Sequence, residues 1–331
     1  MTSAVQIVIV NYRTADLTID CLYSIAEQAP ETSKLHVWVV DNASGDGSPA
    51  RIVSIIETEG WHAWISLIPL DRNGGFAFGS NAGIRESLRS VPPADYVMLL
   101  NPDTLVLPGA IAALVGFMES QPNAGIAGSL LENAAGEVEC SAHNTPTPLG
   151  ELEATARLGV LSRLLSRYRV TPPPREVAHE CEWVSGASLM IRRAVIEQIG
   201  LLDEEYFLYF EEVDYCLRAR KASWQIWFVP DSRIVHFEGA TTGIRRANAR
   251  RIPYWYDSRR RYFLKHFGVS GLFLADALWS LGRMSLALRR AVRLGTGGTE
   301  QDPKWFAYDL LWGDLRSLFN GTMWSNTRRR Q

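Results

Sequence analysis

The sequence predicts an α/β protein whose mainly parallel sheet carries helices on both faces. Three observations predict it. Strand-like and helix-like segments alternate from the N-terminus, several strands are apolar from end to end, and each of the first four strands ends in polar residues. Continuously apolar strands belong in a sheet that is buried on both faces. The run "VQIVIVNY" opens the chain as a strand, and "TADLTIDCLYSIAEQ" follows with helical spacing. "KLHVWVVDN" is the second strand, and Ser48 with Pro49 opens the helix in "SGDGSPARIVSII". "AWISLIPL" and "DYVMLL" are strands three and four, separated by the helix "NAGIRESLRS". The helix "PGAIAALVGFME" and the strand "AGIAGSLL" bring the pattern to about residue 130. Beyond it, "ELEATARLGVLSRLLSRY" reads as one helix, and "CEWVSGASLMIRR" and "WQIWFVP" as strands that flank an acidic helix near residue 211. Helices are expected over 253–267, 270–293 and 304–319, and residues 239–251 as a polar, mobile segment.

The chain has 331 residues, 47% of them hydrophobic, enough for a substantial core. Its net charge of -2 conceals a division. Residues 241–331 carry 17 Lys+Arg against 6 Asp+Glu, and the first 240 residues carry 17 against 30. A basic C-terminal region suits phosphate-bearing partners or an anionic membrane. Its basic residues form no nucleic-acid-binding motif, so nucleic acid is not an expected partner. Cys21, Cys140, Cys181 and Cys216 lie far apart with no C-x-x-C, which argues against a zinc site or disulfide framework and for the cytosol. There is no signal-peptide pattern and no run of 18 apolar residues, so no spanning segment is expected. In the helix after residue 270, Asp276, Arg283 and Arg290 recur every seven residues as a narrow polar face on an otherwise apolar surface. Such a helix packs on protein or lies in a membrane interface.

In open parallel sheets, ligands bind beyond the carboxyl ends of the strands. Those ends read "VNYR", "VVDNASGDGS", "LDRNGGFAFGSN" and "LLNPDT". They make Asn11, Arg13, Asp41, Arg72, Asn73, Gly75, Asn81 and Asn101 the candidate ligand-binding residues. "GGFAFG" departs from G-x-G-x-x-G and follows the third strand, so a nicotinamide cofactor is not expected. Asp103 follows a buried strand and suits a hard divalent cation, with His236 in "RIVHFEG" as a second ligand. In "YFLYFEEVDYCLRAR", Asp214 and Arg218 stand at i,i+4 with Glu211 one turn earlier. Glu212 shares a mostly apolar stripe with Tyr215, Cys216 and Ala219, and no cation stands at helical spacing from it. A carboxylate so placed is a candidate for a raised pKa and for proton transfer.

"VIVNYR", "VVDNASGDGS", "RNGGFAFGSNAGI", "LLNPDT", "WVSGASLMIRR", "LDEEYFLYFEEVDYCLR" and "VHFEGATTG" occur in that order over residues 5–243. Together they resemble the family 2 inverting glycosyltransferases, particularly the rhamnosyltransferase-like group. The resemblance implies a GT-A fold, a nucleoside-diphosphate sugar donor and Mg²⁺ or Mn²⁺. It assigns Asp41 to the nucleobase, and Asp103 to the last acid of the D-x-D element, with Asn101 where the first acid often stands. It makes His236 the late metal-binding histidine and Glu212 the general base, a position where the family more often has Asp. Glu211 and Asp214 remain alternatives for the base. Trp183, Gly186 and Ala187 are expected on the acceptor side, and Arg245, Arg246, Arg250 and Arg251 near the diphosphate.

The implied organisation is a catalytic domain over 1–243, with a nucleotide-sugar half to about 130 and an acceptor half over 131–243. A basic helical region over 244–331 follows, for membrane or oligomer contact. dTDP-rhamnose is the suggested donor, and a glycan or polyprenyl-diphosphate-linked hydroxyl the suggested acceptor, in surface polysaccharide synthesis. That reaction would be cytoplasmic, with the protein peripheral at the inner face of the cell membrane. Two alternatives are a sugar nucleotidyltransferase, disfavoured because "VNYRTADLT" lacks a glycine, and a non-catalytic nucleotide-sugar-binding subunit.

Overall fold

A computed structural model describes residues 3–28, 34–91, 93–237, 249–292 and 302–319. The elements begin with β1 (Val5–Asn11), α1 (Ala15–Ala26), β2 (Leu35–Asp41), α2 (Ser48–Thr58), β3 (Ile65–Pro69) and α3 (Phe76–Arg89). They continue with β4 (Tyr96–Leu100), β5 (Thr104–Val106), α4 (Ala110–Ser120), β6 (Ala124–Glu132), β7 (Val138–Glu139) and β8 (Ala142–His143). Next are α5 (Pro148–Ala156), α6 (Gly159–Leu164), β9 (His179–Cys181), β10 (Trp183–Val184), β11 (Ser188–Arg192) and α7 (Arg193–Ile199). The last are α8 (Glu211–Lys221), β12 (Gln225–His236), α9 (Pro253–Ala291) and α10 (Phe306–Phe319). Two compact units form, one from Met1–His143 with Thr171–Thr242, the other from Asn144–Val170 with Gly243–Gln331.

In the first unit the main sheet runs β3-β2-β1-β4-β11-β6-β12-β5. The pairs among β3, β2, β1 and β4 are parallel. β1 is buried at all seven positions and β4 at all five, which is why their sequences show no alternation. Antiparallel β11 enters between β4 and β6 and makes the sheet mixed. The polar ends of β1, β2 and β4 follow directly on these buried strands. All four cysteines are free thiols.

Two departures from the sequence reading bear on the site. The strand expected to stop at Pro230 continues to His236, because register shifts between Val229 and Arg233 absorb the proline as a bulge. A three-residue strand, β5, directly follows Asp103 and pairs antiparallel with β12, with His236 opposite Thr104. A strand this short leaves no pattern to detect. The bulge and β5 together bring residues 103 and 236 side by side.

In the second unit, the helix expected over 151–168 breaks at Arg157, whose φ is 47°. α5 and α6 stand on either side of the break. α9 turns at Gly268 (φ 71°), so it is two helices meeting where the sequence reading separated them. By length and composition α9 could cross a membrane. Its course argues otherwise, because Asp276 is buried on it and bonds the buried Arg259 at 2.9 Å. Arg259 also meets Glu151 at 3.0 Å and Asp314 at 3.4 Å, and Arg260 meets Asp314 at 2.6 Å. The narrow polar face therefore points inward at Asp276, and Arg283 pairs with Asp302. Arg250 is held by Asp309 and Arg251 lies 4.5 Å from the Trp255 ring centroid, so neither extends freely toward a ligand. Arg245 and Arg246 lie outside the described residues.

Arg259→Met would leave buried carboxylates without their cation. It should destabilise this unit by about 3–5 kcal/mol in denaturant unfolding of the full chain.

Candidate active site

α8 begins at Glu211, as the sequence spacing predicts. Asp214 is fully buried and accepts from Arg218 Nε at 2.9 Å, and Arg218 also donates to the Ile199 and Leu201 carbonyls. That pair anchors the helix to the preceding loop and leaves Asp214 poorly placed for proton transfer. Glu211 is buried and Glu212 half-buried, and each has a buried carboxylate oxygen with no hydrogen-bond partner among the described residues. Burial raises the pKa of Glu212, and backbone N–H groups at the helix start partly oppose the rise. Burial pushes Glu211 higher still, and the neighbouring Glu212 charge adds to it. Two adjacent carboxyls in a dry site do not both ionise easily, so the deeper Glu211 holds its proton longer.

The loop before α8 aims these acids. Tyr209 and Phe210 both have positive φ, at 71° and 69°. Non-glycine residues adopt that region at a cost, so it persists only where surrounding contacts enforce it. One such contact is Phe76 N–H donating to the Phe207 carbonyl at 2.8 Å. Gly75 has φ +90°, and a Cβ there would lie 2.0 Å from that carbonyl oxygen. Asn81 adds a second clamp, accepting from Leu202 N–H at 3.0 Å and donating to the Leu202 carbonyl at 2.9 Å. Asn81 also donates to Glu204 at 3.0 Å, so its amide holds the acid loop and could aid the donor only indirectly.

Across the sheet edge, Asp103 is buried and its Oδ1 lies 3.5 Å from His236 Nε2. The Asp103 carbonyl accepts from Phe237 N–H at 2.9 Å, which fixes the pair's register. Divalent cations sit about 2.0–2.2 Å from oxygen and nitrogen ligands, so atoms 3.5 Å apart fit one ion better than one strong hydrogen bond. Among the described residues no group of three or more His, Cys, Asp or Glu forms a fuller cage. A two-residue site leaves positions for phosphate oxygens and water.

Among the residues expected to bind the donor, Asp41 accepts from Asn11 Nδ2 at 2.6 Å and from Ser44 Oγ at 2.6 Å and its amide at 3.0 Å. The Asn11 side-chain Oδ1 accepts from Thr18 Oγ1 at 3.0 Å, so Asn11 acts by holding Asp41. Arg13 binds Ser44 through its amide and Nε, both at 2.9 Å. Asn42 donates to Asn73 Oδ1 at 2.9 Å and to the Gly75 carbonyl at 3.0 Å. Ser44 and Asn42 are the residues that sequence reasoning left unassigned. Their signal was present in "VVDNAS", a polar strand end in which only Asp41 was singled out. Arg72 is exposed and stacks over Phe78 at 4.5 Å.

Of the residues expected to meet the acceptor, Trp183 stacks on His143 with centroids 4.1 Å apart and planes 17° from parallel. A Cβ on Gly186 would stand 3.6 Å from the Glu212 side chain, so the Gly186 backbone lies directly against that residue. The next residue, Ala187, accepts from Asn101 N–H at 3.0 Å, two residues before Asp103. This backbone bond connects the Glu212 side to the Asp103 side.

A family profile described as glycosyltransferase like family 2 matches residues 3–256. The chain belongs to that family. An N-acetylglucosaminyl-diphospho-decaprenol L-rhamnosyltransferase of Mycobacterium tuberculosis is 31% identical over 279 residues, which is 80% of this chain and 84% of that protein. A low-salt glycan biosynthesis hexosyltransferase of Haloferax volcanii is 32% identical over 67% of this chain and 63% of that one. Among solved structures, a Pyrobaculum calidifontis mannosyltransferase in complex with GDP-Man and Mn²⁺ superposes with TM-score 0.55 at 17% identity, covering 98% of this chain and 84% of that one. GalNAc-T7 with UDP, GalNAc and Mn²⁺ gives 0.59 at 13% identity, over 95% and 57%. The fold of this glycosyltransferase is GT-A with a C-terminal helical segment, as the sequence resemblance implied. Family membership sets aside the nucleotidyltransferase and the non-catalytic subunit.

In the glycosyltransferase, Gly75→Ala would drive a methyl into the Phe207 carbonyl and move the acid loop. Displacing a catalytic group by an ångström can cost about 10²-fold, so a loss of that order in kcat is expected. Gly136→Ala, with φ +79° and nothing within 4 Å, strains only its own turn and should leave kcat unchanged.

Proposed function

We propose that this glycosyltransferase is an inverting, metal-dependent enzyme that moves a sugar from a nucleoside diphosphate to an acceptor hydroxyl. Rhamnose from dTDP-rhamnose is the favoured donor sugar, since the relatives include rhamnosyltransferases of Mycobacterium tuberculosis, Escherichia coli and Shigella flexneri. A polyprenyl-diphosphate-linked glycan is the favoured acceptor. The first of those relatives is named for such a substrate. That acceptor would place the reaction at the inner face of the cell membrane.

The observation that carries the reading is a buried Glu212 oxygen with no hydrogen-bond partner among the described residues, on a side chain that lies against Gly186. In the proposed step Glu212 takes the proton of the acceptor hydroxyl. The freed oxygen forms a bond to the anomeric carbon as the bond from that carbon to the diphosphate oxygen breaks. Attack and departure on opposite faces invert the anomeric centre, and the electron pair leaves on the diphosphate. Asp103 and His236 would hold Mg²⁺ or Mn²⁺, which neutralises charge on the departing phosphates. Asp41 and Arg13, braced by Asn11 and Ser44, line the nucleotide side. Trp183 offers an aromatic face to an acceptor sugar.

Glu212→Gln keeps the shape and removes the base. It should lower kcat by about 10²–10⁴-fold while donor affinity stays within about twofold. Near-normal turnover would move the base elsewhere. Adding EDTA should abolish transfer, with Mn²⁺ or Mg²⁺ restoring it, whereas undiminished activity in chelator would leave Asp103 and His236 to the fold. Among nucleotide sugars screened by thermal shift with either metal, dTDP-rhamnose should stabilise the protein most.

A further inference from the structure

Of the 22 large hydrophobic side chains exposed among the described residues, 15 lie in the second unit, the smaller of the two. They fall in register. On α9, Leu274, Leu281, Met284 and Leu288 are each more than half exposed, at intervals of seven, three and four residues. On α10 and the residue just before it, Trp305, Tyr308, Trp312, Leu315 and Phe319 are exposed at intervals of three and four. Each set makes one apolar stripe along a helix. The opposite faces are occupied. α9 buries Asp276 with Arg259 and closes on α5, where a Cβ at Gly282 would meet Thr155 Oγ1 at 2.1 Å. Tyr256 and Trp279 pack with Phe306 and Leu310, so both helices contribute to a shared core.

We propose that the outer faces of α9 and α10 are a docking surface for an anionic lipid bilayer, with both helices lying in the interfacial plane. Three features select that occupant. Trp305, Tyr308 and Trp312 join a large apolar body to a polar tip, which suits the depth of lipid headgroups. Residues 241–331 hold 17 Lys+Arg against 6 Asp+Glu, and Lys304, Arg290 and Arg316 are exposed on or beside the two helices. Such a face attracts anionic headgroups and repels a second copy of itself. The ion-paired Asp276 on the packed side of α9 argues for lying on the membrane and against crossing it. The surface gives the lipid-linked acceptor of the proposed function a place to be met, and its purpose rests on that reading.

The test is co-sedimentation of the full chain with phosphatidylcholine vesicles, with and without phosphatidylglycerol, in the absence of donor and acceptor. Partition should need phosphatidylglycerol, weaken in high salt and be accompanied by a blue shift of tryptophan emission. The double variant Leu281→Glu/Met284→Glu and the single variant Trp312→Glu should each lower partition by at least about tenfold. Val91→Glu, on an exposed position of the first unit, should leave it unchanged. Donor binding on the same samples reports folding, since none of these residues belongs to the candidate active site. No partition, equal partition on neutral vesicles, or unaltered partition of both α9 and α10 variants would overturn the proposal. A concentration-dependent dimer dissolved by the same substitutions would also overturn it, and would give the face to a second copy. Transfer to a soluble acceptor by a chain that ignores vesicles would sink the docking surface and leave the reaction standing.

Discussion

The candidate site depends on one close approach, that of the Gly75–Phe76 backbone to the carbonyl of Phe207. The loop that carries Gly75 leads into α3, and the loop that carries Phe207 leads into the acid helix. Their contact leaves no room for a side chain at residue 75. It helps hold Tyr209 and Phe210 in a left-handed conformation that costs about 1–2 kcal/mol per residue. Without that constraint the loop would relax, and Glu212 would lose the direction that sets it against Gly186. Asn81, clamped on Leu202, reinforces the contact from the next turn of α3. The Gly75 loop and the acid loop are thereby one mechanical piece, as a transfer reaction requires of groups that must act on neighbouring atoms.

Much of this was legible in the sequence, for local reasons. β1, β2 and β4 are apolar because the sheet is covered on both faces, and the polar residues that end them could only be strand ends. Asp214 and Arg218 announced themselves by helical spacing, and the same spacing separated Glu212 from them. What stayed hidden was non-local or very short. β5 has three residues, and β12 passes a proline by means of a bulge, so nothing in either segment alone reveals that Asp103 and His236 are neighbours. Asn42 reaches across to Asn73 and Gly75, a link between distant segments that no periodicity marks.

The C-terminal region shows how sidedness can mislead. A stripe of Asp276, Arg283 and Arg290 on an apolar helix looks like the face turned to water. Arg259 reverses that reading, because a buried guanidinium needs buried carboxylates, and Glu151, Asp276 and Asp314 supply them. With Asp276 turned inward, the helix leaves leucine and methionine outside. Residues 259–261 read as "RRR", a run that in sequence is indistinguishable from a solvated surface cluster. The tertiary partners alone assign Arg259 to the interior.

Base catalysis by Glu212 is tested most directly by the pH dependence of kcat at saturating donor and acceptor. Glu212 must be ionised to accept the hydroxyl proton, and burial raises its pKa above the ordinary carboxyl value of 4.5. Activity should therefore fall on acidification through a midpoint above about 4.5, and that limb should vanish in the residual rate of Glu212→Gln. A profile that stays flat down to pH 4.5, or an acid limb that survives the substitution unchanged, would contradict it.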